Sequence, residues 1–173
     1  MRRTYSALCL LLLIAIAGWS QTAEEPTWSK YSNDNGKFSV MLPGQPEEKS
    51  STENGVVLNT FKVLQRPRMY MVIYSDYPDA DLKLETRERL NAERDGFIKN
   101  ITDGKLVSER EFKFKRGSTD LPALEFTAET PTINYKSLIV LDGRRVYFAC
   151  AGALKGNDST TQFEKFLGSF ILN

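Results

Sequence analysis

Residues 69–74 (Met-Tyr-Met-Val-Ile-Tyr) and 146–151 (Val-Tyr-Phe-Ala-Cys-Ala) are apolar at every successive position. Neighbouring side chains on a strand point to opposite faces, so such a run must be buried on both. Two of them place two strands in the middle of a sheet with cover above and below. That excludes a sheet with one wet face and points to a three-layer arrangement.

The flanking segments are simpler strands. Residues 28–31 and 37–41 flank an Asn-Asp-Asn-Gly stretch at 33–36. Asn-Gly favours the positive φ angles of a tight hairpin. Residues 47–52 are polar and read as an exposed edge strand or a loop. Asn54 and Gly55 form a second hairpin signal, after which Val57, Phe61 and Val63 share one face of 56–65. Arg66, Pro67 and Arg68 turn the chain. Later candidates are 105–114, 121–129, 134–141 and 145–153, with Asp142 and Gly143 as the last turn. Every short connection joins neighbours, so the sheet is expected to be mostly antiparallel.

Two segments carry helical spacing. Leu90, Phe97, Ile98 and Ile101 share a face within 82–101, with Gly96 weakening the interior by about 1 kcal/mol relative to Ala. Near the C-terminus, Ser159 to Gln162 matches a capping box, and Phe163, Phe166, Leu167 and Phe170 follow at i, i+3, i+4 and i+7. An aromatic stripe with that spacing packs on a sheet. The expected fold class is α+β, a three-layer α/β/α sandwich around a mostly antiparallel sheet.

The first twenty residues read as a signal peptide outside that fold. Arg2 and Arg3 precede an apolar run at 7–17, and small residues follow at Gly18 and Ser20. The run is shorter than the roughly 20 residues a bilayer span needs. Cleavage after Ser20 fits, as do Ala17 and Ala23. Residues 21–27 read as a tether and 28–173 as a single domain. The expected location is therefore outside the cytoplasm, periplasmic or extracellular. Cys9 lies within the apolar run without a small residue before it, which argues against lipidation. Cys150 is then the single remaining cysteine, expected buried in a strand.

The whole chain of 173 residues has 23 basic and 22 acidic residues and no histidine. Loss of residues 1–20 removes Arg2 and Arg3 and no acid, leaving a net charge of −1. A nearly neutral chain has no strong field for nucleic acid. The missing histidine excludes Ser-His-Asp and Cys-His catalysis and histidine metal sites. There is no Gly-rich phosphate loop, CxxC pair or nucleophile elbow. No catalytic residue and no cofactor is expected.

Three clusters remain. Asp76, Asp79 and Asp81 crowd one loop as calcium candidates, against the plainer expectation that they cap the following helix. Arg144 and Arg145 beside Lys136, and the Lys113, Lys115, Arg116 group, offer positive charge to a partner, against a plain role in solvating hairpin ends. Residues 85–95 alternate acids and bases and read as a solvated helix face with i,i+4 pairs such as Glu85–Arg89 and Arg89–Glu93.

The order of motifs resembles the PsbP-like and DcrB-like envelope proteins. Its carriers are Trp28 and Tyr31, 36–40 (Gly-Lys-Phe-Ser-Val) and 42–46 (Leu-Pro-Gly-Gln-Pro), then 73–78, 94–97 and 143–147. The closing Phe163, Phe166 and Phe170 complete the set. The resemblance implies the PsbP-type α/β/α sandwich over residues 28–172. It implies an exported, non-enzymatic binding or assembly-support role in the cell envelope, with a protein or envelope component as partner. Metal sites built on PsbP histidines have no counterpart here. The alternatives are a small-ligand or calcium-binding envelope protein, or a hydrolase working with two facing carboxylates alone.

Overall fold

The computed structural model describes residues 26–53, 55–78, 84–157 and 159–173. The expected signal segment, most of the tether, Asn54, Asp79 and Asp81 lie outside the described residues.

The chain opens with β1 (Ser29–Asn33) and β2 (Phe38–Leu42), then β3 (Glu47–Glu53), β4 (Val56–Gln65) and β5 (Arg68–Asp76). Helix α1 (Thr86–Asn100) follows. Four strands come next: β6 (Lys105–Arg116), β7 (Thr119–Glu129), β8 (Ile133–Asp142) and β9 (Arg145–Leu154). Helix α2 (Thr160–Gly168) and the short β10 (Ile171–Leu172) end the chain. Seven strands form one sheet in the order β3-β4-β5-β9-β8-β7-β6, and β1-β2-β10 form a second, three-stranded sheet. All pairings are antiparallel.

The two doubly apolar runs became β5 and β9, which pair with each other at the centre of the large sheet. Tyr70, Val72 and Tyr74 face one core, built with β2, α2 and the alternate residues 147–153 of β9. Met69, Met71 and Ile73 face the other, with Leu90 of α1, Phe126 of β7 and Phe148 of β9. The sandwich therefore has α1 on one side of the sheet and α2 with the small sheet on the other. The expected α+β class and antiparallel layering are observed.

Several local expectations change. Ser159 precedes α2, but its side chain does not cap the helix. Its hydroxyl instead accepts a hydrogen bond from Arg68 Nε at 2.8 Å. Phe170 is buried yet lies past the end of α2, because the chain leaves the helix to pair β10 with β2. In the first hairpin the positive φ falls on Lys37, at 52°, rather than on the Asn-Gly pair. Gly36 is needed for close approach: a Cβ there would stand 2.8 Å from the rings of Phe38 and Tyr74. Helix α1 begins after Glu85, whose backbone N–H donates to the Glu88 carboxylate at 3.4 Å. Asp76 does not cap it.

Glu85, Arg87, Glu88 and Asp95 are exposed, as expected of a solvated helix face, and three arginines of α1 also reach the sheet or its turn. Arg87 pairs with Glu111 at 3.2 Å, and Arg94 pairs with Glu109, both on β6. The Arg94 side chain is only 12% exposed. Arg89 sends Nη2 to the Gly143 carbonyl at 3.0 Å. These cross-element pairs stand beside the i,i+4 attraction of Arg89 for Glu93.

Candidate functional site

The β8–β9 turn brings Asp76, Arg144 and Arg145 to one end of the large sheet. Asp76 lies directly opposite Arg145 in the β5–β9 register. Arg145 Nε donates to Asp76 Oδ1 at 2.8 Å and Nη2 to Oδ2 at 2.6 Å, a two-bond fork of the kind guanidinium and carboxylate form best. Its Nη1 donates to the Asn35 carbonyl at 2.9 Å, and the guanidinium lies 4.8 Å from the Tyr74 ring centre. The hydrogen bond from Arg145 holds the Asp76 carboxyl below its usual range, and the same bond raises Arg145. Arg144 Nε donates to the Tyr77 carbonyl at 2.9 Å, while Tyr77 N–H donates back to the Arg144 carbonyl at 2.9 Å. Both arginines thus tie the turn to the exit of β5 and the β1–β2 hairpin.

Lys136 is not beside them. It lies six residues along β8 from Asp142, the register partner of Arg145, a separation of about 20 Å. Its ammonium is 3.8 Å from Glu125, which is also 3.7 Å from Arg110. Glu125 shares a shallow cavity with Glu164 and these two cations. Its carboxylate is charge-compensated, which is unlike the poorly compensated carboxyls of a general acid–base pair. Both Asp76 oxygens are taken by Arg145. Among the described residues, no three acids, cysteines or histidines group as metal ligands. Of the second basic group, Lys115 pairs with Asp120 at 2.5 Å and Arg116 with Asp142.

Sequence reasoning missed a concavity between α1 and the sheet. Among the described residues, helix α1 lies over β7 and β8 and leaves the same face of β3, β4 and β5 open. The result is a groove of about 620 Å³. Val56, Leu58, Met71 and Ile73 form its floor, with Phe148 at the inner end. Ala92, Glu93, Gly96 and Asn100, one face of α1, form its wall. Ser51 and Thr60 supply hydroxyls on the β3 side. A Cβ added at Gly96 would have no atom within 4 Å, so this glycine serves no packing need inside the chain.

Glu93 is the one charged side chain lining this groove among the described residues. Burial raises its carboxyl above the ordinary range, although a hydrogen bond from Tyr77 and the nearby Arg89 both act to lower it. The thiol of Cys150, by contrast, is fully enclosed beneath α1 and pushed up to about 12 by burial, as expected of a packing residue. The signal that pointed to the groove was Gly96 itself, a costly residue in mid-helix with no turn to justify it.

Neither a protein-family model nor a curated protein sequence matches the chain. Among solved structures it is similar to the solution structure of cyanobacterial PsbP (CyanoP) from Synechocystis sp. PCC 6803. The TM-score is 0.57 at 13% identity, over 91% of this chain and 99% of that one. The fold is PsbP-like. A crystal structure from Bacteroides thetaiotaomicron VPI-5482 also aligns, at 14% identity and TM-score 0.41, over 83% of this chain and 48% of that one. At such identities the likeness concerns the fold, and a PsbP-like sandwich can carry more than one activity. No helix among the described residues is long and apolar enough to cross a membrane.

Proposed function

We propose that this PsbP-like domain is an exported, non-enzymatic binding module of the cell envelope and that its binding site is the groove between α1 and β3–β5. The observation that carries the reading is the groove itself. It is preformed, has an apolar floor and a few polar groups at its rim, and lies within the roughly 300–1,000 Å³ of small-ligand sites. Export is supported by the charged, apolar and small-residue pattern of residues 1–20. A neutral apolar fluorophore, N-phenylnaphthylamine, tests the site. Its emission should rise on binding at one site, and Gly96→Leu should abolish the rise by filling the groove without altering the unfolding midpoint downward. No binding, or equal binding by Gly96→Leu, overturns the assignment. Mass spectrometry of the protein recovered outside the cytoplasm should show loss of residues 1–20; an intact N-terminus in the cytoplasmic fraction refutes export.

A further inference from the structure

We infer that the groove takes a small amphiphilic amine, with its apolar chain along β4 and β5 and its protonated nitrogen on Glu93. This rests on the groove reading above and adds the charge and class of the ligand.

Among the described residues, the groove holds one carboxylate whose charge is only partly offset. Glu93 stands on the α1 wall, above the apolar floor made by Leu58, Met71 and Ile73. Its neighbours offset that charge only in part. The Tyr77 hydroxyl is a neutral donor. Arg89, one turn earlier on α1, commits Nη2 to the Gly143 carbonyl at the sheet end. Lys62, on the groove face of β4, is paired with Glu47 at 3.7 Å. The cost of burying the carboxylate outweighs what Tyr77 and Arg89 return.

A partly desolvated carboxylate of this kind gains from a cation brought into the same low-dielectric site, where attraction is stronger than in water. A ligand with an anionic head meets repulsion from Glu93, and a neutral one leaves the carboxylate as it was. The chain of the ligand meets methionine and branched aliphatic side chains, which adapt to flexible apolar shapes. Gly96, Ala92 and Asn100 recur every four residues on the wall and keep the helix low there, so an alkyl chain can lie against its backbone.

Three ligands of equal chain length separate the terms: decylamine, decanol and decanoate, each competing with N-phenylnaphthylamine at neutral pH and below its aggregation concentration. The expected order is decylamine tighter than decanol by about tenfold, the size of one charge-assisted hydrogen bond, with decanoate weakest. Glu93→Gln should bring decylamine to the affinity of decanol and leave decanol unchanged. Decanoate binding as tightly as decylamine overturns the inference, as does an amine preference that survives Glu93→Gln. Should that variant fail to fold, the order in the unaltered protein decides alone. Decanol displacement that is lost in Gly96→Leu, without any preference for the amine, leaves the groove reading intact and removes only the amine. Failure of all three to displace the probe removes the amine as well.

Discussion

Gly36 and Gly96 should respond to alanine with opposite signs, and the structure supplies the size of each response. A Cβ at Gly36 would lie 2.8 Å from Cδ1 and Cε1 of Phe38 and from Cε1 of Tyr74. Comfortable carbon contacts are about 3.5–4.0 Å, so roughly 1 Å of overlap must be relieved. Neither ring can step aside. Phe38 has no exposed surface and packs edge-on to Phe61 at 5.4 Å, which itself stacks on Tyr74 at 6.0 Å. Overpacking of this kind costs about 1–3 kcal/mol. If the turn moves instead, the Gly36 carbonyl is drawn away from the buried Tyr147 hydroxyl that donates to it at 2.9 Å. An unmet buried group costs ~1–3 kcal/mol. By either route the destabilisation is about 1–3 kcal/mol. At Gly96 nothing stands in the way, and the helix gains about 1 kcal/mol from alanine. Urea unfolding reads both. With a slope of about 2 kcal/mol per M, Gly36→Ala should lower the midpoint by about 0.5–1.5 M and Gly96→Ala raise it by about 0.5 M. A Gly36→Ala midpoint within about 0.2 M of the parent, or shifts of the same sign, would refute the packing argument.

Other expectations follow from single contacts. Phe166→Ala, which empties a fully buried site packed on Tyr70 at 5.4 Å, should cost about 3–5 kcal/mol, whereas Leu64→Ala at a 64% exposed position should stay within about 0.5 kcal/mol in the same urea experiment. Asp76 has its folded pKa lowered chiefly by the Arg145 hydrogen bond. Its contribution is thus present above the unfolded carboxyl pKa and lost as pH falls through the lower folded one. Asp76→Asn should flatten that part of the acid limb, by less than about 1 kcal/mol because the carboxylate is 48% exposed; parallel acid limbs in the two proteins would count against it. In the chain lacking residues 1–20, the Cys150 thiol should ignore a disulfide reagent at neutral pH until urea unfolds the domain, and prompt labelling of the folded protein would contradict its burial.

Much of the fold was readable one element at a time. The double apolar runs of β5 and β9 required cover on both faces, and the aromatic spacing of Phe163, Phe166 and Leu167 identified the helix that supplies part of it. Where side chains answer to distant partners, local pattern misleads. Ser159 looks like a helix cap, but Arg68, 91 positions earlier, claims its hydroxyl. Two residues are too few to show a strand period, so β10 was hidden at the end of a helical stripe. The site was less legible than the fold. Arg144 and Arg145 were visible as charges, yet only the register reveals that Asp76 and the Asn35 and Tyr77 carbonyls occupy them. The groove draws on β3, β4, β5 and α1, and its one signal in the chain was the unexplained Gly96.

The sequence by itself determined both helices and most of the strands, which two strands are central, and that histidine chemistry is absent, because periodicity and composition are properties of neighbouring residues. Tertiary structure decided where α1 lies on the sheet, hence which face of β3–β5 stays open and which carboxyl is left half-buried beside it. Those outcomes depend on how strands far apart in the chain come into register, and no stretch of neighbouring residues encodes that alone.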